Sequence, residues 1–127
     1  MRKKIIQFGI YIALTSTLLS AYAAVDADSM QIMEDTQKSL SSNIALKASK
    51  GALADARELE EMFKEVEEFF VKKGNAADGV TWSQESRALA GGVAKAVAAS
   101  DFDGASQKAV SLAKTCKACH AIYKTKD

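Results

Sequence analysis

Apolar residues recur at spacings of three and four along most of the chain, a pattern typical of amphipathic helices. The absence of proline and the alanine-rich body favour helix as well. No strand-like alternation follows the first two dozen residues. The pattern predicts four helices, which run roughly over 28–48, 53–73, 82–99 and 104–124.

Each predicted helix has an apolar face that would turn inward. Glutamates crowd the opposite side of the second helix, where we expect a solvated surface. The predicted inward residues are Met30, Met33, Leu40 and Ile44 in the first helix, Leu53, Ala56, Leu59, Met62, Phe63, Val66, Phe69 and Phe70 in the second, Leu89, Val93, Ala96 and Val97 in the third, and Val110, Ala113, Cys116, Cys119, His120 and Tyr123 in the fourth.

Local signals indicate where the helices begin and end. Gly51 would lie just past the first helix, and Gly, Asn and Asp gather over 74–79 in a connection. Residues with N-cap chemistry precede the later helices, namely Thr81 (with Gln84 at capping-box spacing), Asp101 and Asp103. Four helices with short connections predict an all-α, antiparallel up-down-up-down four-helix bundle, a fold that often builds cofactor sites between its helices.

Residues 116–120 form a C-x-x-C-H run that uses both cysteines and the only histidine of the chain. This run is typical of covalent c-type haem attachment. Two thiols about one helical turn apart can add to the two porphyrin vinyl groups, and the imidazole of His120 is a good donor to iron. Cys116, Cys119 and His120 are therefore the predicted cofactor-binding residues, and the haem would be bound covalently to the last helix, facing the core.

Other chemistry of two cysteines and one histidine fits less well. A closed zinc site needs four ligands, and one chain supplies three of these types. A thioredoxin-like motif is expected near a βαβ pattern, which is missing here. A plain disulfide stays open as an alternative, but it leaves the adjacent histidine without a role.

The N-terminal residues have the pattern of a secretory signal peptide. Three basic residues at 2–4 precede a largely apolar run at 5–19, with small residues at Ala21 and Ala23. We expect cleavage after Ala23, with Ala24 as the next choice. The apolar run is short for a membrane span of roughly twenty residues, so an uncleaved anchor is the alternative and no stable membrane insertion is expected after cleavage. Export to the periplasm agrees with the compartment in which c-type haem is attached.

Removing 1–23 leaves a single predicted domain at 24–127. The signal peptide takes three basic side chains with it, which leaves 14 basic and 16 acidic side chains and a net charge of −2. This balance gives no basic excess for binding nucleic acid.

The position of the motif is similar to that in one cytochrome family. Only seven residues follow His120, and none is a methionine. A C-terminal C-x-x-C-H on the last of four helices resembles the cytochrome c′ family, the class II cytochromes c. Lys117, Tyr123 and Lys124 resemble that family's C-K-x-C-H-x-x-Y-[R/K] ending. The resemblance implies a single covalent haem c, with Lys124 near its proximal side.

The resemblance also bears on the sixth iron ligand. High-spin members carry an apolar residue over the distal face, and low-spin members place a methionine there. Met30 and Met33 lie three apart on one predicted helix face. The segment from Met30 to Leu40 is similar to small bundle cytochromes in which a methionine about ten residues before such a leucine ligates iron, which favours Met30. Met33, or no sixth protein ligand, stays open. High-spin members usually carry an arginine in this helix, and residues 24–50 contain none.

These features predict a periplasmic electron carrier that is not an enzyme and that meets other redox proteins transiently. The alternative is a high-spin, cytochrome c′-like binder of nitric oxide or carbon monoxide. A third alternative is a structural or thiol-exchange bundle without haem. Class II relatives are often dimers, so both a homodimer and a monomer stay open.

Overall fold

The computed structural model describes residues 25–124, within which the chain forms four helices and no strand. The helices are α1 at Ala27–Ala45, α2 at Ser49–Lys73, α3 at Ala77–Ala98 and α4 at Phe102–Tyr123. The predicted signal peptide and its cleavage sites at Ala23 and Ala24 lie outside the described residues. Within the described part, no helix has the length and apolar character needed to cross a membrane.

The helices pack in a closed ring around one core. α2 packs on α1 and α3, and α4 packs on α3 and, over a smaller interface, on α1. This arrangement confirms the predicted all-α four-helix bundle. Burying a large aliphatic side chain contributes about 1.5–3 kcal/mol, so a few such residues account for much of the stability. The largest fully buried side chains are Leu40, Leu59, Val93, Val97 and Leu112.

Most of the predicted inward residues are buried or half-buried, but two predictions are wrong. Phe69 is 37% exposed and Val110 is 54% exposed. Adjacent residues of a helix point about 100° apart, so only Phe70 of the Phe69–Phe70 pair can enter the core. On α4 the buried residues are Ala105, Ala109, Leu112 and Thr115, and Val110 lies off that stripe.

The start of α3 differs from the prediction. The helix begins at Ala77 rather than Trp82, and its connection to α2 is only three residues long. The hydroxyl of Thr81 donates to the carbonyl of Ala77 at 2.9 Å, so Thr81 is an interior helix residue and not a cap. Gly79 lies inside this helix, and a Cβ there would come within 2.6 Å of the Phe70 ring. Close packing, not a turn, explains this glycine.

The end of α1 shows a similar correction. The helix ends at Ala45, and Gly51 lies inside α2 rather than past the end of α1. A Cβ on Gly51 would come within 2.7 Å of the Asn43 side chain. Asn43 and Ser39 both donate to the carboxylate of Asp55 at 2.8 Å, which gives α1 and α2 a polar link beside this close approach.

The predicted cap of the last helix is confirmed at one of its two candidates. The carboxylate of Asp101 accepts a hydrogen bond from the Gly104 backbone N–H at 2.9 Å, and the helix begins at Phe102. Asp103 lies within the first turn instead. A carboxylate there still interacts favourably with the helix dipole.

Candidate cofactor site

A cavity of about 550 Å³ is lined by side chains from all four helices. Its volume is within the roughly 300–1,000 Å³ range of small-molecule and cofactor sites. The lining residues are Met30, Met33, Glu34, Gln37, Lys38, Ser41, Phe63, Val66, Phe70, Trp82, Ser83, Ser86, Ala113, Cys116, Lys117, Cys119 and His120. The structure therefore brings Cys116, Cys119, His120 and both candidate methionines to one cavity, whereas Lys124 is not among the lining residues.

The last two turns of α4 supply the C-x-x-C-H residues. Cys119 and His120 follow Cys116 by three and four residues, so both lie on the same side of the helix as Cys116, and all three are half-buried on the cavity wall. Both cysteines are free thiols. Covalent attachment of haem requires two free thiols to form the thioethers and an imidazole to ligate the iron, and this largely apolar cavity has all three on its wall. The residues present fit the group.

The environment keeps both thiols neutral. Burial, joined by the neighbouring Cys119, raises the pKa of Cys116 to about 11. Burial and the carboxylate of Asp78 also raise the pKa of Cys119. A desolvated thiol resists ionisation because a charge is poorly stabilised among apolar side chains. Both cysteine side chains are therefore uncharged at neutral pH.

Gln37 of α1 is a site residue that the sequence analysis missed. Its Nε2 donates to the carbonyl of Ala109 at 3.2 Å, and its Oε1 accepts from Sγ of Cys116 at 3.7 Å. One side chain thus joins α1 to α4 directly beside the first cysteine. The sequence feature that could have identified Gln37 is its position seven residues after Met30, because residues at this spacing share a helix face.

The two candidate methionine ligands both lie on the α1 side of the cavity. Met33 is 7% exposed and belongs to the core, whereas Met30 is half-buried and packs against it. Both thioether side chains therefore share one cavity with His120. Substituting each methionine by leucine would show which of the two ligates iron.

The C-terminal end of α4 is held by an aromatic and polar cluster. The hydroxyl of Tyr123 donates to the carboxylate of Asp78 at the start of α3. The Tyr123 ring lies 4.7 Å from that of Phe70 and 6.4 Å from that of Trp82, measured between centroids. This hydrogen bond lowers the pKa of Asp78 and raises that of Tyr123. Asp78 was missed because the sequence placed it in a connection.

Charged side chains stand at the edge of the cavity on α1. Lys38 pairs with Glu34 at 2.9 Å, and both side chains are more than half exposed. Such a solvent-exposed pair contributes little to stability, because water and salt screen the two charges. Lys124 is exposed just past the end of α4, and its charge also acts on Glu34. The cavity thus has apolar walls and a charged rim.

Among residues 25–124, no three His, Cys, Asp or Glu side chains gather as metal ligands. Haem iron takes most of its ligands from the porphyrin, so a haem site needs only one imidazole of this set. No protein-family model, curated protein or solved structure matches the chain.

Proposed function

We propose that this protein is a c-type cytochrome that carries single electrons, with one haem c tethered through Cys116 and Cys119 and ligated by His120. The observation that carries the proposal is the cavity that gathers both thiols, the imidazole and Met30 between four helices. When bound, the haem supplies the one-electron iron couple.

The protein's own residues have separate tasks in this proposal. Cys116 and Cys119 would anchor the group, and His120 would ligate its iron. Phe63, Val66 and other apolar side chains exclude water from the cavity, which raises the strength of electrostatic interactions inside it. A methionine ligand in addition to the histidine would raise the reduction potential. The chain transforms no substrate, so the proposed function is not enzymatic.

The finer topology belongs to the same proposal. Side-chain contacts link the end of α1 to the start of α2 through Asn43 and Asp55, and they link the end of α4 to the start of α3 through Tyr123 and Asp78. Contacts between opposite ends of neighbouring helices support an antiparallel, up-down-up-down arrangement.

We further propose that the protein acts in the periplasm after export by the signal peptide. Its electron donor and acceptor would be other redox proteins that bind weakly and briefly, as is usual for electron-transfer encounters. Because Lys117 is both exposed and part of the cavity lining, the haem edge near it would be the place where electrons leave.

Absorption spectra of the exported protein test this function. We expect a low-spin ferric spectrum and, after reduction, a spectrum that carbon monoxide does not change, because His120 and a methionine would both ligate the iron. A high-spin spectrum with prompt carbon monoxide binding would overturn the electron-carrier proposal and favour the gas-binding alternative. A colourless protein from cells that mature a control cytochrome c would overturn haem attachment itself.

A further inference from the structure

The last turn of α4 carries His120 and ends only three residues later, at Tyr123. Helix ends fray unless a tertiary contact holds them. In this turn the Lys124 backbone N–H still donates to the carbonyl of His120 at 3.1 Å. The position of the imidazole therefore depends on whatever holds this turn against the bundle.

Tyr123 makes that contact in two ways. Its hydroxyl donates to the Asp78 carboxylate in the first turn of α3. Its ring lies against Phe70 with an interplanar angle of 53° and meets Trp82 edge-on at 76°. A hydrogen bond to a charged acceptor is stronger than one between neutral groups. The end of α4 is thus joined to α3 by a polar contact and to both α2 and α3 by aromatic ones.

The same side chains also form the cavity wall. Phe70 and Trp82 line the cavity together with His120. Gly79, next to Asp78, leaves space for the Phe70 ring, so the first turn of α3 lies close against α2. A shift of Tyr123 would therefore displace Phe70 and Trp82 on the cavity wall and also the last turn of α4, which carries His120.

We propose that Asp78 and Tyr123 are a positioning pair that holds the last turn of α4 against α3 and so fixes the His120 imidazole within the cavity. An effect of the pair on iron ligation by His120 rests on the proposed function. An effect on the stability of the last turn of α4 does not, because the contact between Tyr123 and Asp78 exists in the chain without haem.

The first test uses hydrogen exchange of the full haem-free chain, followed by mass spectrometry. In Tyr123→Phe and Asp78→Ala, amides of 120–124 should exchange several-fold to about tenfold faster, as expected for the loss of one solvent-exposed hydrogen bond. The matched control is Asp103→Ala, which removes an exposed first-turn carboxylate from α4 without touching Tyr123. Unchanged exchange at 120–124 in both test variants would overturn the proposal.

The second test uses the exported, haem-loaded protein and a double-mutant cycle. Every variant keeps Cys116, Cys119 and His120, so covalent attachment is expected to persist. Warming should produce a high-spin fraction at lower temperature in Y123F and D78A than in the wild type or D103A. The double variant should be no worse than Asp78→Ala alone, because Asp78→Ala already removes the contact with Tyr123 as well as the hydrogen bond from the Gly79 N–H. Additive effects of the two substitutions would contradict a pair.

The two proposals can fail separately. Faster exchange at 120–124 in a chain that never binds haem would support the positioning pair and overturn the cytochrome assignment. A coloured, low-spin protein whose exchange and spectrum are unaffected by Y123F and D78A would support the cytochrome and overturn the pair.

Discussion

The Cys116 thiol of the haem-free protein should be a slow nucleophile. Its position on the cavity wall raises its pKa from an ordinary 9.0 to about 11, mainly through burial. The thiolate is the species that reacts. At pH 8 about a tenth of an ordinary thiol is ionised but only about a thousandth of Cys116, which is roughly a hundredfold difference.

Part of this loss is offset by the higher reactivity of the thiolate. With a Brønsted slope of about 0.4–0.5, an increase of two pKa units raises intrinsic nucleophilicity roughly six- to tenfold. The folded protein should therefore react at Cys116 about ten times more slowly than the unfolded chain at the same pH. Burial of the sulfur can only slow the reaction further.

A small aromatic disulfide reagent measures this rate through the absorbance of its released thiol. Cys119→Ala leaves Cys116 as the only thiol and prevents an internal disulfide, and Cys116→Ala is the matched variant that reports Cys119. Each is measured folded and in concentrated urea at pH 8. We expect the folding-dependent slowing of Cys116, with the rate still rising between pH 9 and 10. Equal folded and unfolded rates at Cys116 would refute the burial argument.

Three further experiments test the packing at Gly79, the cap at Asp101 and the identity of the methionine ligand. Gly79→Ala should destabilise the fold by about 1–2 kcal/mol in urea titrations, because its Cβ would meet the Phe70 ring. The control is Gly92→Ala, whose Cβ meets only the flexible side chain of Lys108, and this variant should be neutral or stabilising. Equal effects of the two substitutions would contradict the packing explanation. Asp101→Ala should cost about 0.5–2 kcal/mol in the same titrations through loss of the cap, and an unchanged midpoint would show that the cap contributes nothing. In the haem-loaded protein, Met30→Leu should convert a low-spin spectrum to high-spin while Met33→Leu does not; the reverse result would identify Met33 as the ligand.

Hydrophobic periodicity predicted the helices well because a bundle core imposes it directly. Leu40, Leu59 and Leu112 lie where a 3.6-residue repeat puts them. Periodicity, however, predicts the buried face of a helix only to within one residue on either side. Phe69 and Val110 each lie one residue from a buried position, Phe70 and Ala109, and are themselves exposed.

Glycines were the main source of wrong helix boundaries. Gly51 and Gly79 look like helix breaks in the sequence, yet each lies inside a helix where a neighbouring side chain leaves no room for a Cβ. A close helix–helix approach is a tertiary feature, and a single glycine in the sequence does not distinguish it from a turn.

The candidate site was predictable where its chemistry is local. Cys116, Cys119 and His120 lie within five residues and share a helix face by spacing alone. Gln37 and Asp78 were missed because their partners are 79 and 45 residues away in the chain. Such contacts depend on which helices become neighbours, and that is decided by packing.

Covalent haem is tested most directly by the intact mass of the acid-denatured protein, purified after export from cells that mature cytochromes c. The proposal predicts a coloured protein whose mass equals the chain without residues 1–23 or 1–24 plus one haem, and a Cys116→Ala/Cys119→Ala variant that loses the haem mass. A colourless wild-type protein with the mass of the bare chain, from cells that load a control cytochrome, would contradict it.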